Sequence, residues 1–180
     1  MGDYLMALEL NGTTGVSLVQ DGVVTAADLA SGAITAAALP AGSVLQAVQT
    51  TTNSTTSTDV TGQWHTITDY NVTITPSSST SKILLLGSCN LYADCDQDGH
   101  TAAGQFRALR NGSAVWTTNN AILSRGGQQH FTSVDIKYLD SPSTTSALTY
   151  TFQFYITSTN RAVIANSIDF ATIIAMEIAG

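Results

Sequence analysis

From residue 64 onward, apolar and polar residues alternate in short stretches separated by turn formers, the pattern of strands with one buried face. The pattern predicts strands over residues 64–75, 82–92, 104–109, 114–117, 131–139, 149–157, 162–164 and 168–178. Pro76-Ser77-Ser78-Ser79, residues 94–99, Asn111-Gly112, Arg125-Gly126-Gly127 and Ser141-Pro142-Ser143 fall between them, each with residues suited to turns. Asn111-Gly112, flanked by Phe106–Arg110 and Ala114–Trp116, predicts a two-residue hairpin, because both central positions of such a turn need a positive φ. In the last strand Ile168, Phe170, Ile174, Met176 and Ile178 share one face, and Asp169, Ala171, Ile173, Ala175 and Glu177 the other. A strand apolar on one side and small on the other suits a central place, its second face against a neighbouring subunit. The expected class is therefore all-β, a sandwich or barrel.

The N-terminal quarter follows another period. Gly22-Val23-Val24-Thr25-Ala26-Ala27-Asp28-Leu29 is echoed ten residues later by Gly32-Ala33-Ile34-Thr35-Ala36-Ala37-Ala38-Leu39. Val19, Val24, Leu29, Ile34, Leu39 and Val44 recur at a step of five, which fits neither the 3.6 of a helix nor the 2 of a strand. A short extended step followed by one helical turn, with Thr25 as N-cap and Asp28 in the capping-box position, accounts for it. Such a thin rod cannot bury its apolar row alone. Several copies turning these six residues inward about an axis would bury it, as repeats need neighbours. An alanine-rich linker is the competing reading. The chain thus divides into an arm and stalk, residues 1–42, and a β-domain, residues 43–180.

Composition narrows the partners. With 180 residues, 43% of them hydrophobic, the chain has material for one core plus an extension. Only 11% are charged, and Ser, Thr, Asn and Gly make the surface neutral and hydroxyl-rich. Six Lys and Arg against a net charge of −7 leave no basic patch for nucleic acid or anionic lipid. Without an apolar run of about 18 residues or a basic start, no membrane insertion and no signal peptide are expected. Cys89 and Cys95 stand six apart in one extended segment, roughly 20 Å at about 3.3 Å per residue, too far for a disulfide.

Candidate chemistry is sparse. Asp94-Cys95-Asp96-Gln97-Asp98-Gly99 matches the first half of a calcium loop, so Asp94, Asp96 and Asp98 are candidate ligands for a divalent cation such as calcium. Gln105 occupies the twelfth position, where a bidentate Glu is needed, so this is no EF-hand, and a solvated acidic turn is the alternative. Those acids on an open turn would keep ordinary acidities, poor for a glycosidase acid. Ser79-Thr80-Ser81-Lys82 fits S-x-x-K by spacing but sits in a turn before a strand. His65, His100 and His130 are scattered. Neither catalysis nor any other cofactor is expected. Trp64, Tyr92 and Trp116 could form an aromatic platform for a surface sugar, although strand aromatics more often pack in cores.

The stretches GSVLQAVQTTTNSTTSTDV, VTITPSSSTSKILLLGS, FRALRNGSAV, YLDSPSTTSALTYTFQF and ATIIAMEIAG together resemble the C-terminal β-domain of bacteriophage tail-fibre and virion structural proteins. The decapeptides resemble the tandem repeats that precede that domain, so the likeness spans residues 22–180. It implies a jelly-roll-like β-sandwich, a homotrimer and a place on the virion exterior after synthesis in the host cytoplasm. On that footing the expected protein is a short homotrimeric tail fibre. Tyr4, Leu5, Leu8 and Leu10 are candidates for docking to tail, baseplate or capsid proteins. Loops over residues 94–100 and 119–130, with Tyr92, His100, Trp116, Asn119, Asn120 and His130, are candidates for contact with host surface carbohydrate. A capsid decoration or head-fibre protein of the same fold is the alternative, and a carbohydrate-cleaving spike a third reading.

Overall fold

The computed structural model describes residues 10–11, 15–16, 38–94, 101–125, 129–156, 163–165 and 170–180. The chain falls into two units, Met1–Leu39 and Pro40–Gly180. In the first, β1 (Leu10–Asn11) and β2 (Gly15–Val16) pair antiparallel, Leu10 opposite Val16.

The second unit holds β3 (Val44–Thr52), β4 (Thr56–Thr58), β5 (Trp64–Ile74), β6 (Lys82–Asp94), β7 (Thr101–Arg110), β8 (Ser113–Arg125), β9 (Gln129–Asp140), β10 (Leu148–Ile156), β11 (Val163–Ala165) and β12 (Ala171–Ile178). A four-stranded sheet has the order β5-β10-β7-β8. A six-stranded sheet runs β3-β12-β6-β11-β4, with β9 on the other edge of β6. Along one edge β6 pairs first with β12, over Lys82–Ser88, and then with β11, over Leu91–Ala93. Successive long strands alternate between two antiparallel sheets, with β7 and β8 paired in one of them. The unit is thus a jelly-roll β-sandwich, as expected of the fold class.

Strict alternation builds the four-stranded sheet's core face. In β10, Leu148, Tyr150, Phe152, Phe154 and Ile156 are buried, while Thr149, Thr151, Gln153 and Tyr155 are half-buried on the outer side. The Asn111-Gly112 hairpin forms with both residues at positive φ, 47° and 84°, and Asn111 Oδ1 accepts the Thr149 amide at 2.9 Å. In β5 a bulge at Asp69 (φ 57°) shifts the phase, so that Ile67 and then Tyr70, Val72 and Ile74 point inward. The Tyr70 hydroxyl crosses the sandwich and donates to the carbonyls of Ser88 (2.9 Å) and Thr172 (3.1 Å). Those carbonyls lie where pairing of β6 with β12 ends.

Three expectations are corrected. Residues 44–52 and 56–58 are strands that alternation did not reveal, because their polar sequences run along sheet edges, where side chains need not alternate in polarity. Residues 119–125 are strand and not loop, since β8, also an edge strand, pairs with β7 as far as Arg125. The inward side of β12 is the small one, Ala171, Ile173, Ala175 and Glu177, while Ile174, Met176 and Ile178 face outward. Size decides it: Tyr70, Tyr150, Phe106, Phe152 and Phe154 fill the interior from the opposite sheet, leaving room for small residues on β12. Gly87, on the neighbouring strand, is equally confined, because a Cβ there would run into the Thr172 carbonyl and lie 2.9 Å from Ile173 Cδ1.

Candidate functional site

Two acids are buried on the inner side of the six-stranded sheet, both held by dedicated donors. Glu177, fully buried, accepts hydrogen bonds from Gln46 Nε2 (2.6 Å), Ser77 N (2.7 Å) and Ser77 Oγ (2.7 Å). Burial by itself raises its pKa, but the bonds from Gln46 and Ser77 outweigh that and hold the carboxyl at about 2. Asp140 accepts both its oxygens' bonds from Arg110 Nη1 at 2.8 Å and a further one from the Tyr150 hydroxyl at 2.7 Å. Burial, then the hydrogen bond to Asp140 and its charge, push the Tyr150 phenol upward against the pull of Arg110. Glu177 has no proton to donate near neutrality, and Asp140 spends its lone pairs tying β9 to β7 and β10. These are structural acids. Burial also pushes the Cys89 thiol up to about 12, leaving it unreactive.

The outer face of the four-stranded sheet carries an ordered cluster across β5, β10 and β7. The rings of Trp64 and Tyr155 stand 5.3 Å apart, tilted by 51°, and the Arg107 guanidinium lies over Trp64, 4.0 Å from its centroid. Arg107 donates through Nε (2.8 Å) and Nη2 (2.5 Å) to Gln153 Oε1, and Gln153 Nε2 donates to Thr66 Oγ1 (2.9 Å). Each group fixes the next, giving a shelf of aromatic surface edged by an amide, a hydroxyl and one cation. Such a shelf can stack on the apolar face of a sugar ring and bond its hydroxyls. It holds no nucleophile or base poised for chemistry.

The outer face of the six-stranded sheet differs. One transverse row runs Ala47, Met176, Leu84, Leu139 and the next Gln49, Ile174, Leu86, Lys137. Val44 and Leu139 are 56% and 48% exposed, and farther along Tyr92 stacks on Phe131 at 4.6 Å.

The structure scatters the sequence-predicted residues. Trp64 lies on one outer face and Tyr92 on the other, while Trp116 turns inward against Phe106, with ring centroids 6.2 Å apart. The three therefore form no single platform. His130 and Asn119 are exposed, in β9 and β8, and Asn120 lies in β8. Asp94 ends β6, opposite Gln129, while Asp96, Asp98 and His100 lie outside the described residues. Among the described residues no group of three His, Cys, Asp or Glu could hold a metal ion. Leu39 is 38% exposed, and Val44 opens β3 opposite Ile178. Leu10 opens β1; Tyr4, Leu5, Leu8, Val19, Val24, Leu29, Ile34 and Cys95 lie outside the described residues. Sequence reasoning missed Tyr155, Arg107 and Gln153. The outward phase of T-Y-T-F-Q-F-Y would have pointed to Gln153 and Tyr155.

No family model matches the chain, and no curated protein does. Among solved structures it is similar to a chain of the T13 viral particle of infectious bursal disease virus, with 11% identity and a TM-score of 0.41 over 77% of this chain and 37% of that one. It is similar also to the VP2 subviral particle of the same virus, with 11% identity and a TM-score of 0.40 over 75% and 38%. The chain thus spans less than two-fifths of the length of these relatives. Among the described residues, no helix is long and apolar enough to cross a membrane.

Proposed function

We propose that this chain is a structural component of a bacteriophage virion, a short homotrimeric tail fibre that attaches through its N-terminal arm and presents the jelly-roll domain to the host surface. One observation carries the reading: a decapeptide-repeat sequence precedes a sandwich with an apolar band on one outer face and a hydroxyl-rich surface on the other. The arm and the apolar face suit assembly, and the hydroxyl-rich face suits contact with water and glycans. The protein acts by binding and not by catalysis, in keeping with buried acids committed to structural donors. The Trp64, Tyr155, Arg107 and Gln153 shelf is the part best suited to a host carbohydrate.

Immunogold labelling of phage particles with antibody against the β-domain tests this. Label at the tail tip is expected. Label spread over the shell would reassign the protein to capsid decoration, and unlabelled particles would remove it from the virion altogether.

A further inference from the structure

The strands at the middle of the six-stranded sheet break the alternation that the other sheet keeps. Ile83-Leu84-Leu85-Leu86 in β6 and Ile173-Ile174-Ala175-Met176 in β12 are uninterrupted apolar runs, paired side by side. Ile83, Leu85, Ile173 and Ala175 fill the interior of the sandwich. Leu84, Leu86, Ile174 and Met176 point the other way and are half-buried. Continuous apolar runs belong to strands covered on both faces. A lone sandwich covers one.

We propose that the outer face of the β3–β12–β6–β9 sheet is the contact surface between copies of this chain, each copy turning this face toward a common assembly axis. This rests on the homo-oligomeric part of the function proposed above and names the surface that makes it. Size supports another copy as the occupant. Four strands about 4.8 Å apart and the eight residues of β12 at about 3.4 Å each give a face of roughly 520 Å², so a pair of such faces buries on the order of 1,000 Å², the lower bound of a specific interface. Charge agrees. Among the described side chains, Lys82, Asp135 and Lys137 are the charged ones on this face, of both signs and at its margins, with Lys137 Nζ already 3.4 Å from Asp135. Like faces can therefore meet without a wall of one sign, although the chain as a whole carries −7.

The test is the solution mass of the intact chain by light scattering, for the wild type, for Leu139→Lys with Met176→Lys, and for Leu139→Lys alone. Thr151→Lys, on the opposite outer face, is the control. Leu139 is already half exposed, so its change spares the fold, and near-UV circular dichroism verifies this for each variant. The expected result is a wild type and control at a multiple of 18.8 kDa, with the double variant folded and reduced to one copy, and Leu139→Lys dissociating on dilution. A wild-type oligomer whose mass survives both changes overturns this interface and leaves the trimeric fibre standing. A wild-type monomer overturns the interface and the homotrimer together, and hands the apolar face to the chain's own arm or another virion protein.

Discussion

The two sheets of the sandwich distribute polarity in opposite ways. The four-stranded sheet points Tyr70, Phe106, Tyr150, Phe152 and Phe154 inward and lines its outer face with hydroxyls and amides, such as Thr73 bonded to Thr149 at 2.9 Å and Gln153 bonded to Thr66 at 2.9 Å. The six-stranded sheet points smaller aliphatic residues and two acids inward, and turns Leu84, Leu86, Ile174 and Met176 outward. The first sheet is a finished amphipathic layer, complete once its inner face is covered. The second carries an apolar band on its outer side as well, and its interior acids need dedicated donors because they are buried. Stability is thus concentrated in the aromatic layer, and the proposed assembly surface lies on the aliphatic one.

The largest effect should come from the aromatic layer. Phe152 is fully buried, with ring centroids 4.8 Å from Tyr70 and 6.0 Å from Phe106. Phe152→Ala should therefore cost about 4 kcal/mol, by the cost of emptying a packed aromatic site. Urea unfolding of the folded variant measures it. A loss below about 1 kcal/mol would mean the interior repacks readily and the division between the layers is weaker than the burial implies.

Acid in the other layer gives the next effect. The Glu177 carboxyl lies at about 2, below its ordinary 4.5, so the folded state binds that proton less readily than the unfolded chain does. Its contribution is therefore complete above pH 4.5 and disappears as pH falls toward 2. The gap corresponds to about 3 kcal/mol at 1.36 kcal/mol per pKa unit. Unfolding curves between pH 2 and 6 should slope steeply for the wild type and less so for Glu177→Gln, which has no such proton to bind. Parallel slopes would assign the acid sensitivity to other carboxylates.

Arg110→Met probes the second acid of the same layer. The change leaves Asp140 buried with the Tyr150 hydroxyl as its remaining donor among those described above. Because the Arg110 side chain is 29% exposed, solvent softens the loss, and about 2 kcal/mol is expected. The double variant Arg110→Met with Asp140→Leu should recover part of that loss in thermal unfolding, since it removes the stranded charge as well. Failure to recover would show that Asp140 matters to the fold through Tyr150 more than through its charge.

How much of this was legible depended on whether neighbours in the chain or neighbours across the fold decide the outcome. The Asn111-Gly112 turn was readable because the backbone requirement is local, and β10 was readable because Leu148 to Ile156 alternate without interruption. The phase of β12 was not. Its even positions are the more apolar, and only the bulk of Tyr70 and Phe152 on the facing sheet gives the interior to Ala171 and Ala175. The edge strand β3 escaped because Gln46, Gln49 and Thr50 to Thr52 carry too little apolar contrast. The outer cluster escaped for another reason: Trp64 and Arg107 meet across β10, which lies between their own strands, a contact that no local pattern encodes.

That cluster offers the smallest predicted effect and the sharpest control on the comparison. Arg107 covers Trp64 at 4.0 Å and holds Gln153, but it does so at a half-exposed surface where solvent competes for its charge. A cation over an aromatic ring in that setting contributes about 0.5–1 kcal/mol, so Arg107→Ala should lower stability by about 1 kcal/mol at most. Burial of the guanidinium lowers its pKa, but not into the range where it would lose its charge near neutrality, so the loss should not depend on pH there. The mass in solution should stay that of the wild type, because the proposed interface lies on the other sheet. If Arg107→Ala instead dissociated the protein while the Leu139 and Met176 variants did not, the assembly face would be the four-stranded sheet, and the uncovered runs of β6 and β12 would need another partner.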